Sequence, residues 1–170
     1  MTDPPPWGEA RSRTVTWYDP MAAAAAGRGL SGREYLQAIA DGRLPPAPIT
    51  SLLGFAVTEV GDGEVRFTVT PDESVYNPIG LVHGGLVSTL LDSVIGCAVH
   101  TTLPAGSGYS SIEIKVSFLR PIHANTGTLH AHGWVTKPGR RVAFAEGDVR
   151  DQTGKLLATA SSSLLILAAA

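Results

Sequence analysis

Residues 77–103 read NPIGLVHGGLVSTLLDSVIGCAVHTTL, a turn followed by a His-Gly-Gly triplet and an apolar run of about twenty residues. After the triplet, apolar side chains occupy most sides of a helical wheel: Leu86, Val87, Leu90, Leu91, Val94, Ile95, Ala98 and Val99. A helix that is apolar on more than one side is usually buried. The stretch therefore predicts a long central helix.

Asp92 is the only charged residue in the interior of this predicted helix. Because successive helical residues rotate by about 100°, Asp92 lies on a narrow stripe of small or polar side chains, formed with Gly85, Ser88 or Thr89, and Gly96. Aspartate is a poor helix former, and a carboxylate is seldom buried without a partner. Asp92 is therefore a candidate functional residue. The alternative is a structural acid, or an acid on a solvent-facing stripe.

The start of the helix is a second candidate site. The first N–H groups of a helix have no intrahelical partner and lie at the positive end of its dipole. No Ser, Thr, Asp or Asn immediately precedes Gly84 and Gly85, and neither glycine has a side chain that could shield its amide. Such an end suits a carbonyl oxygen that gains negative charge. The alternative is that the glycines only permit a tight turn and close packing.

Two polar residues precede these glycines. Asn77 lies in the turn formed by Pro78 and Gly80, where its side chain can orient water or a carbonyl oxygen, or hydrogen-bond its own turn. His83 can act as a base, but its position at a helix start favours capping or bracing the loop. We therefore assign proton transfer to Asp92.

Strand patterns flank the helix on both sides. GFAVTEV and EVRFTVT, joined by Gly-Asp-Gly, predict a hairpin before it. Four strands are predicted after it: SIEIKVSFLRP, with one buried and one solvent-exposed face, then TLHAHGWVT, RRVAFAEGDVR and KLLATASSSLLIL. This segregated order predicts an α+β domain in which an antiparallel sheet covers the helix.

Residues 1–49 differ from the rest and predict an N-terminal extension with two short helices that packs on the main domain, residues 50–170. Asp19 with Pro20 marks the start of the first helix, and Ser31 with Glu34 forms a capping box for the second. LPPAPI, residues 44–49, is expected to be extended.

Composition excludes several classes of function. The chain has 170 residues, 44% apolar and 16% charged, with a formal net charge of -2. This charge gives no electrostatic reason to expect nucleic acid or an anionic membrane as a partner. No apolar run is long enough to span a bilayer, and the N-terminus lacks the apolar region of a secretory signal, so a cytoplasmic location is expected.

Neither the cysteine nor the histidines predict a second reactive centre. The single cysteine, Cys97, excludes an intrachain disulfide and lies among apolar residues, as expected of an inert core thiol. His130 and His132 lie on one face of a predicted strand but lack a third ligand. We expect neither a metal nor a cofactor.

The pattern N-P-x-G-x-x-H-G-G, with an aspartate nine residues after the histidine, resembles the PaaI-like hotdog-fold acyl-CoA thioesterases. The resemblance covers roughly Pro45 to Leu167 and includes the strand ending FLRP, the Pro-Gly-Arg-Arg hairpin and the closing GKLLATASSSLLIL. It implies a long helix wrapped by a curved antiparallel sheet. It also implies a homodimer joined edge to edge, or a homotetramer of two such dimers, with active sites at the subunit interface.

The resemblance further implies a hydrolase that converts acyl-CoA to free acid and coenzyme A. Asp92 would be the general base or the nucleophile, and the Gly84 N–H would polarise the thioester carbonyl. Asn77 of the other subunit would position the carbonyl or the water. A serine hydroxyl would hold the attacking water, which is assigned to Ser111, or to Ser110 if the strand is shifted by one residue.

Coenzyme A phosphates require cations. The candidates are a cluster in the sequence TKPGRRVAF, which also suits a solvated hairpin tip, and one arginine elsewhere: Lys137, Arg140, Arg141 and Arg120. Gly85 is a further substrate-binding candidate through its amide. Two alternatives remain open. The stretch DESVYNPIGLVH, with Asp72, is similar to the pattern of hotdog enoyl-CoA hydratases, and the domain could also bind acyl-CoA or a lipid without catalysis.

Overall fold

The computed structural model describes residues 6–167. Three helices precede the sheet: α1 (Pro20–Ala26), α2 (Gly32–Ala40) and α3 (Pro48–Leu53). The remaining elements are, in order, β1 (Phe55–Val60), β2 (Glu64–Val69), α4 (Gly84–His100), β3 (Gly108–Phe118), β4 (Leu129–Lys137), β5 (Val142–Asp151) and β6 (Leu156–Leu167). The predicted order of two strands, a long helix and four strands is confirmed.

The six strands form one antiparallel sheet in the order β1-β2-β4-β5-β6-β3. Irregularities in register interrupt four of the five pairings. Such bulges bend strands and increase their twist, so the sheet curves around α4. The predicted α+β class and hotdog fold, a long helix wrapped by a curved antiparallel sheet, are confirmed.

The core lies between α4 and the concave face of this sheet. Completely buried side chains of α4, including Leu90, Leu91, Val94 and Ile95, pack on inward-facing residues of the strands, including Leu129, Val149 and Leu164. The apolar residues that predicted a central helix are therefore buried in the core. No helix within residues 6–167 is both long enough and apolar enough to cross a membrane.

Gly133 of β4 lets α4 approach the sheet closely. A Cβ placed on Gly133 would lie 2.4 Å from the backbone oxygen of Val94 and 2.6 Å from its carbonyl carbon. Because the obstruction is helix backbone, a methyl group could be accommodated only if the helix moved. The absence of a side chain here sets the distance between helix and sheet.

The change Gly133→Ala is expected to lower the free energy of unfolding by about 1–3 kcal/mol or more, as inserting atoms into a packed core does. Urea unfolding followed by circular dichroism measures the effect. Gly29→Ala is the matched control, because a Cβ there meets nothing within 4 Å. Equal stability of the two variants would contradict the close approach.

The N-terminal helices begin where the sequence predicted them. Asp19 accepts a hydrogen bond from the Met21 N–H at 2.8 Å, and Ser31 with Glu34 forms the capping box. α2 packs on β1 and α4, and its Leu36 belongs to the core. The extension therefore contributes to the hydrophobic core as well as covering it.

Two expectations about chain geometry need correction. Residues 44–49 are not all extended, because Pro48 occupies the first position of α3 and its fixed φ favours a helix start there. This third short helix spans the expected boundary between residues 49 and 50. The central helix also ends at His100, before Leu103, the last residue of the apolar run.

β3 exposes apolar side chains that the sequence predicted to be buried. It pairs with β6 alone and forms an edge of the sheet. Ile112, Ile114 and Phe118 are 57%, 36% and 56% exposed, respectively. α4 packs mainly over the middle strands, so one chain leaves much of this edge uncovered.

Candidate functional site

Asp92 and Ser111 form a hydrogen-bonded pair between α4 and β3. The Ser111 hydroxyl donates to Asp92 Oδ1 at 2.7 Å, and both residues are half-buried. Asp92 Oδ2 receives no hydrogen bond from the part of the chain that the structure describes. The carboxylate is thus oriented through one oxygen, while the other can accept a proton from a bound water.

The register of β3 distinguishes Ser111 from Ser110. Ser111 pairs with Leu164, which is completely buried, whereas Ser110 pairs with Leu165, which is 36% exposed. Directly paired residues in an antiparallel sheet project to the same face. Ser111 therefore faces the helix and Ser110 faces away, and only Ser111 joins Asp92.

If the chain catalyses the thioester hydrolysis that its motif implies, the change Ser111→Ala is expected to lower kcat/KM by about 10- to 100-fold, because a hydrogen bond to a charged group contributes about 1.5–3 kcal/mol. Steady-state kinetics of thiol release measures it. Ser110→Ala on the opposite face is the matched control and should retain the wild-type rate. Similar losses in both variants would argue against an orienting role for Ser111.

His83 caps the start of α4. It is the N-cap residue, and its Nδ1 accepts a hydrogen bond from the Gly85 N–H at 2.8 Å. The structure places His83 in the bracing role that was favoured over a role as base. It also corrects the expectation that both glycine amides are open to substrate, because the imidazole supplies the cap that no Ser, Thr, Asp or Asn provides.

The Gly84 amide is the available donor at this helix end. Gly84 is the first helical residue, and its N–H has no acceptor within residues 6–167. The ring of Phe118 lies beside it, since a Cβ on Gly84 would be 3.1 Å from Phe118 Cζ. An N–H donor at the start of a helix can donate to a carbonyl oxygen that gains negative charge.

Asn77 uses its side-chain oxygen within its own turn. Its Oδ1 accepts hydrogen bonds from the Ile79 and Leu81 N–H groups at 3.1 and 3.0 Å. The alternative that Asn77 hydrogen-bonds its own turn therefore holds for the oxygen. Its Nδ2 group is the part of the amide left to donate to a ligand.

Within one chain, the Gly84 amide and the Asp92–Ser111 pair are too far apart to act on the same carbonyl group. Gly84 and Asp92 are eight residues apart on α4, which corresponds to about 12 Å along the axis. Acyl transfer requires the attacking group about 3–3.5 Å from the carbonyl carbon, whose oxygen also contacts its donor. Gly84 and Asp92 of the same helix therefore cannot both act on one thioester carbonyl.

The candidate phosphate-binding cations lie in two different parts of the molecule. Arg120 donates to the Leu156 carbonyl oxygen at 2.5 Å and so braces the backbone. Lys137, Arg140 and Arg141 are exposed on the β4–β5 hairpin, which borders Leu103 beyond the C-terminal end of α4. Within one chain, these three hairpin cations are separated from the N-terminal end of α4 by about the length of that helix.

Cys97 and His132, two other side chains considered from the sequence, have structural partners. Cys97 lies within 3.9 Å of the Tyr109 hydroxyl, and burial raises the pKa of its thiol to about 11, so it is a poor nucleophile at neutral pH. His132 Nε2 contacts Glu64 at 2.9 Å. Among the described residues, no three His, Cys, Asp or Glu side chains are grouped so that they could hold a metal ion.

Two aromatic residues beside the site were not singled out from the sequence. Phe118 lies against Gly84, and the ring of Tyr109 lies against Gly96, where a Cβ would be 2.4 Å from Tyr109 Cε2. The glycines on the polar stripe of α4 are a signal in the sequence that something packs closely there. The sequence does not reveal which strand residue does so.

Comparisons with known proteins agree on one family. The family model described as thioesterase superfamily matches residues 79–158. Acyl-coenzyme A thioesterase 13 of Homo sapiens is 32% identical over 98 residues, which cover 56% of this chain and 68% of that protein. Among solved structures, a phenylacetic acid degradation-related protein from Ralstonia eutropha is 30% identical, with a TM-score of 0.70 over 77% of this chain and 98% of that one.

The Escherichia coli PaaI protein from the phenylacetic acid degradation operon has the same fold. It is 22% identical, with a TM-score of 0.70 over 82% of this chain and 97% of that one. At this identity the similarity supports the fold alone. In both solved structures nearly the whole neighbouring chain is matched, and most of the unmatched residues belong to this chain.

Proposed function

Since this chain belongs to the thioesterase superfamily and is a thioester hydrolase of the hotdog fold, we propose that it hydrolyses acyl-CoA thioesters to a free acid and coenzyme A. The family model and the similar proteins confirm the family that the sequence motif predicted. The observation that carries the proposal is the 2.7 Å hydrogen bond that orients the Asp92 carboxylate on an otherwise apolar helix.

In the proposed reaction, Asp92 takes a proton from a water molecule as the water oxygen attacks the thioester carbonyl carbon. The carbonyl oxygen becomes negatively charged and accepts a hydrogen bond from the Gly84 N–H. The carbon–sulfur bond then breaks, and coenzyme A leaves as a thiolate that takes up the proton. One well-placed oxyanion donor contributes about 3 kcal/mol to such a step.

We propose that two copies of the chain complete each site. Because Gly84 and Asp92 are about 12 Å apart on one helix, the donor and the base that act on one carbonyl must come from different chains. β3 is the edge through which a second copy can pair, and its exposed Ile112, Ile114 and Phe118 need a partner surface.

The geometry of β3 supports an antiparallel pairing about its centre. Ser111 marks the Asp92 end of the strand, and Phe118 marks the Gly84 end. If two β3 strands pair antiparallel about Lys115, inward-facing residues lie opposite inward-facing residues, and the bulge beside Ser111 of one chain lies opposite Phe118 of the other. That arrangement sets Asp92 beside the partner's α4 start, so a homodimer has two sites.

The position of Asp72 does not support the hydratase alternative. Asp72 caps a short 3-10 turn by accepting from the Ser74 N–H at 2.8 Å, and it lies 3.7 Å from Arg13. Its side chain is 61% exposed. A capping carboxylate on the surface is not placed to act as a base on a bound enoyl group.

The proposal is tested by incubating the protein with butyryl-, octanoyl-, palmitoyl- and benzoyl-CoA and measuring free thiol with a chromogenic reagent. We expect thiol release with an equal amount of free acid from at least one substrate. Crotonyl-CoA tests the alternative, since water addition without thiol release would indicate a hydratase. Binding of acyl-CoA without conversion of any substrate would indicate a carrier.

A further inference from the structure

An apolar cavity of about 610 Å³ lies between the N-terminal helices, the first two strands and α4. Its walls include Tyr35 and Ile39 of α2, Ile49 of α3, Phe55 of β1 and Phe67 of β2. A volume of about 300–1,000 Å³ is typical of pockets that bind small organic molecules. The cavity depends on the N-terminal extension, because without α2 and α3 one side would be open.

Close chain neighbours of both Asp92 and Ser111 line the cavity. Ser93, the next residue after Asp92, lines it, and so does Tyr109. Tyr109 lies two residues before Ser111 on β3 and projects to the same face of the sheet, as its pairing with Ile166 shows. A group attached to a carbonyl carbon near Asp92 can therefore extend past Tyr109 into the cavity.

The cavity lining carries no charge at neutral pH. None of its lining residues is Asp, Glu, Lys or Arg. Burial lowers the pKa of His100, which favours its neutral form, and burial raises the pKa of Tyr109 well above its usual range. A charged or strongly polar group would lose its hydration here without gaining a partner, whereas an apolar chain would gain by burial.

We propose that the N-terminal extension determines acyl specificity: α2 and the start of α3 close a cavity that takes the distal part of a long aliphatic acyl chain. The inference rests on the proposed acyl-CoA substrate. It assigns a role to residues outside the segment, 79–158, that the family model matches. A short acyl group would leave most of the 610 Å³ without contacts and would gain little from it.

The test compares kcat/KM for dodecanoyl-CoA with kcat/KM for butyryl-CoA. The wild-type protein should favour the longer substrate, since each buried methylene contributes about fourfold until the cavity is filled. Ala40→Phe and Ala47→Phe place a ring in the cavity from two different segments of its wall. Each should lower the ratio of the two kcat/KM values by about tenfold or more.

Arg33→Phe is the matched control, because Arg33 is an exposed residue of α2 outside the cavity lining. It should leave the ratio unchanged. Thermal unfolding establishes that each variant is folded, and Ala47, which is more exposed than Ala40, provides the test if Ala40→Phe does not fold. The inference would be overturned if folded Ala40→Phe or Ala47→Phe kept the wild-type ratio of the two kcat/KM values. It would also be overturned if Arg33→Phe lowered that ratio as much as they do.

A second readout separates this inference from the proposed function. Calorimetric titration with dodecanoate should show binding to the wild-type protein and to Arg33→Phe, and at least tenfold weaker binding to the filled variants. If no acyl-CoA is hydrolysed but this pattern holds, the proposed reaction is wrong and the cavity assignment stands. If hydrolysis is observed but dodecanoate binds all variants equally, the cavity assignment is wrong.

Discussion

Replacing Asp92 by asparagine is expected to lower kcat for thioester hydrolysis by about 10²–10⁴-fold, the usual contribution of a positioned general base. The amide keeps the volume of the side chain and can still accept the Ser111 hydrogen bond, which measures 2.7 Å in the native pair. It cannot take a proton from water. The loss should therefore appear in the chemical step with little change in stability.

Steady-state thiol release and thermal unfolding of the same preparations measure both quantities. Glu113→Gln is the matched control, because Glu113 is an exposed carboxylate on β3 that lies away from Asp92. It undergoes the same acid-to-amide change and should keep the wild-type rate. A folded Asp92→Asn variant that hydrolyses acyl-CoA at the wild-type rate would show that Asp92 is not the base.

The second large effect is expected from Gly84→Pro, which removes the proposed oxyanion donor and is expected to lower kcat by about 10²–10³-fold. Proline is favoured at the first position of a helix, where its missing N–H breaks no helical hydrogen bond. The preceding residue must be extended, and His83 already is, with φ -65 and ψ 135. The helix should therefore form normally.

Gly84→Ala is the control for the added atoms. It keeps the N–H and introduces the same Cβ, which would lie 3.1 Å from Phe118 Cζ. Pre-steady-state thiol release separates the chemical step from binding. The alanine variant should retain most of the activity that the proline variant loses, and equal losses would attribute the effect to crowding by Phe118 instead of the missing donor.

Local rules were enough to predict most of the elements. The period of apolar residues predicted α4 and the strands, and the polar residues before α1 and α2 predicted their starts. The same rules failed where one local preference overrode another. Pro48 breaks a preceding helix but also begins α3, and His83 caps α4 through an imidazole nitrogen although capping rules favour oxygen side chains.

The site was only partly predictable for a different reason. Asp92 stands out because it violates the apolar pattern of its helix, but the choice between Ser110 and Ser111 depends on the register of β3, which a bulge shifts next to Ser111. The cavity is harder still, because its walls come from segments far apart in sequence. Its volume depends on how α2 docks on β1, which no local pattern encodes.

The burial of apolar residues at the edge of β3 was not predictable from the sequence of one chain. Alternation predicted that Ile114 and Phe118 share one face, and their pairing with the buried residues Ser162 and Ala158 agrees with this. Ile112 departs from the alternation because it lies in the bulge beside Ser111, and it is 57% exposed. The same edge leads to the central claim, that each active site combines Gly84 of one subunit with Asp92 of its partner.

Subunit complementation tests this claim most directly. Asp92→Asn and Gly84→Pro subunits, each nearly inactive alone, are co-expressed with different affinity tags, and the doubly tagged heterodimer is isolated. One of its two sites then has both functional groups intact, so we predict about half of the wild-type kcat per dimer. A heterodimer no more active than its parent variants would place both groups in one chain and contradict the account.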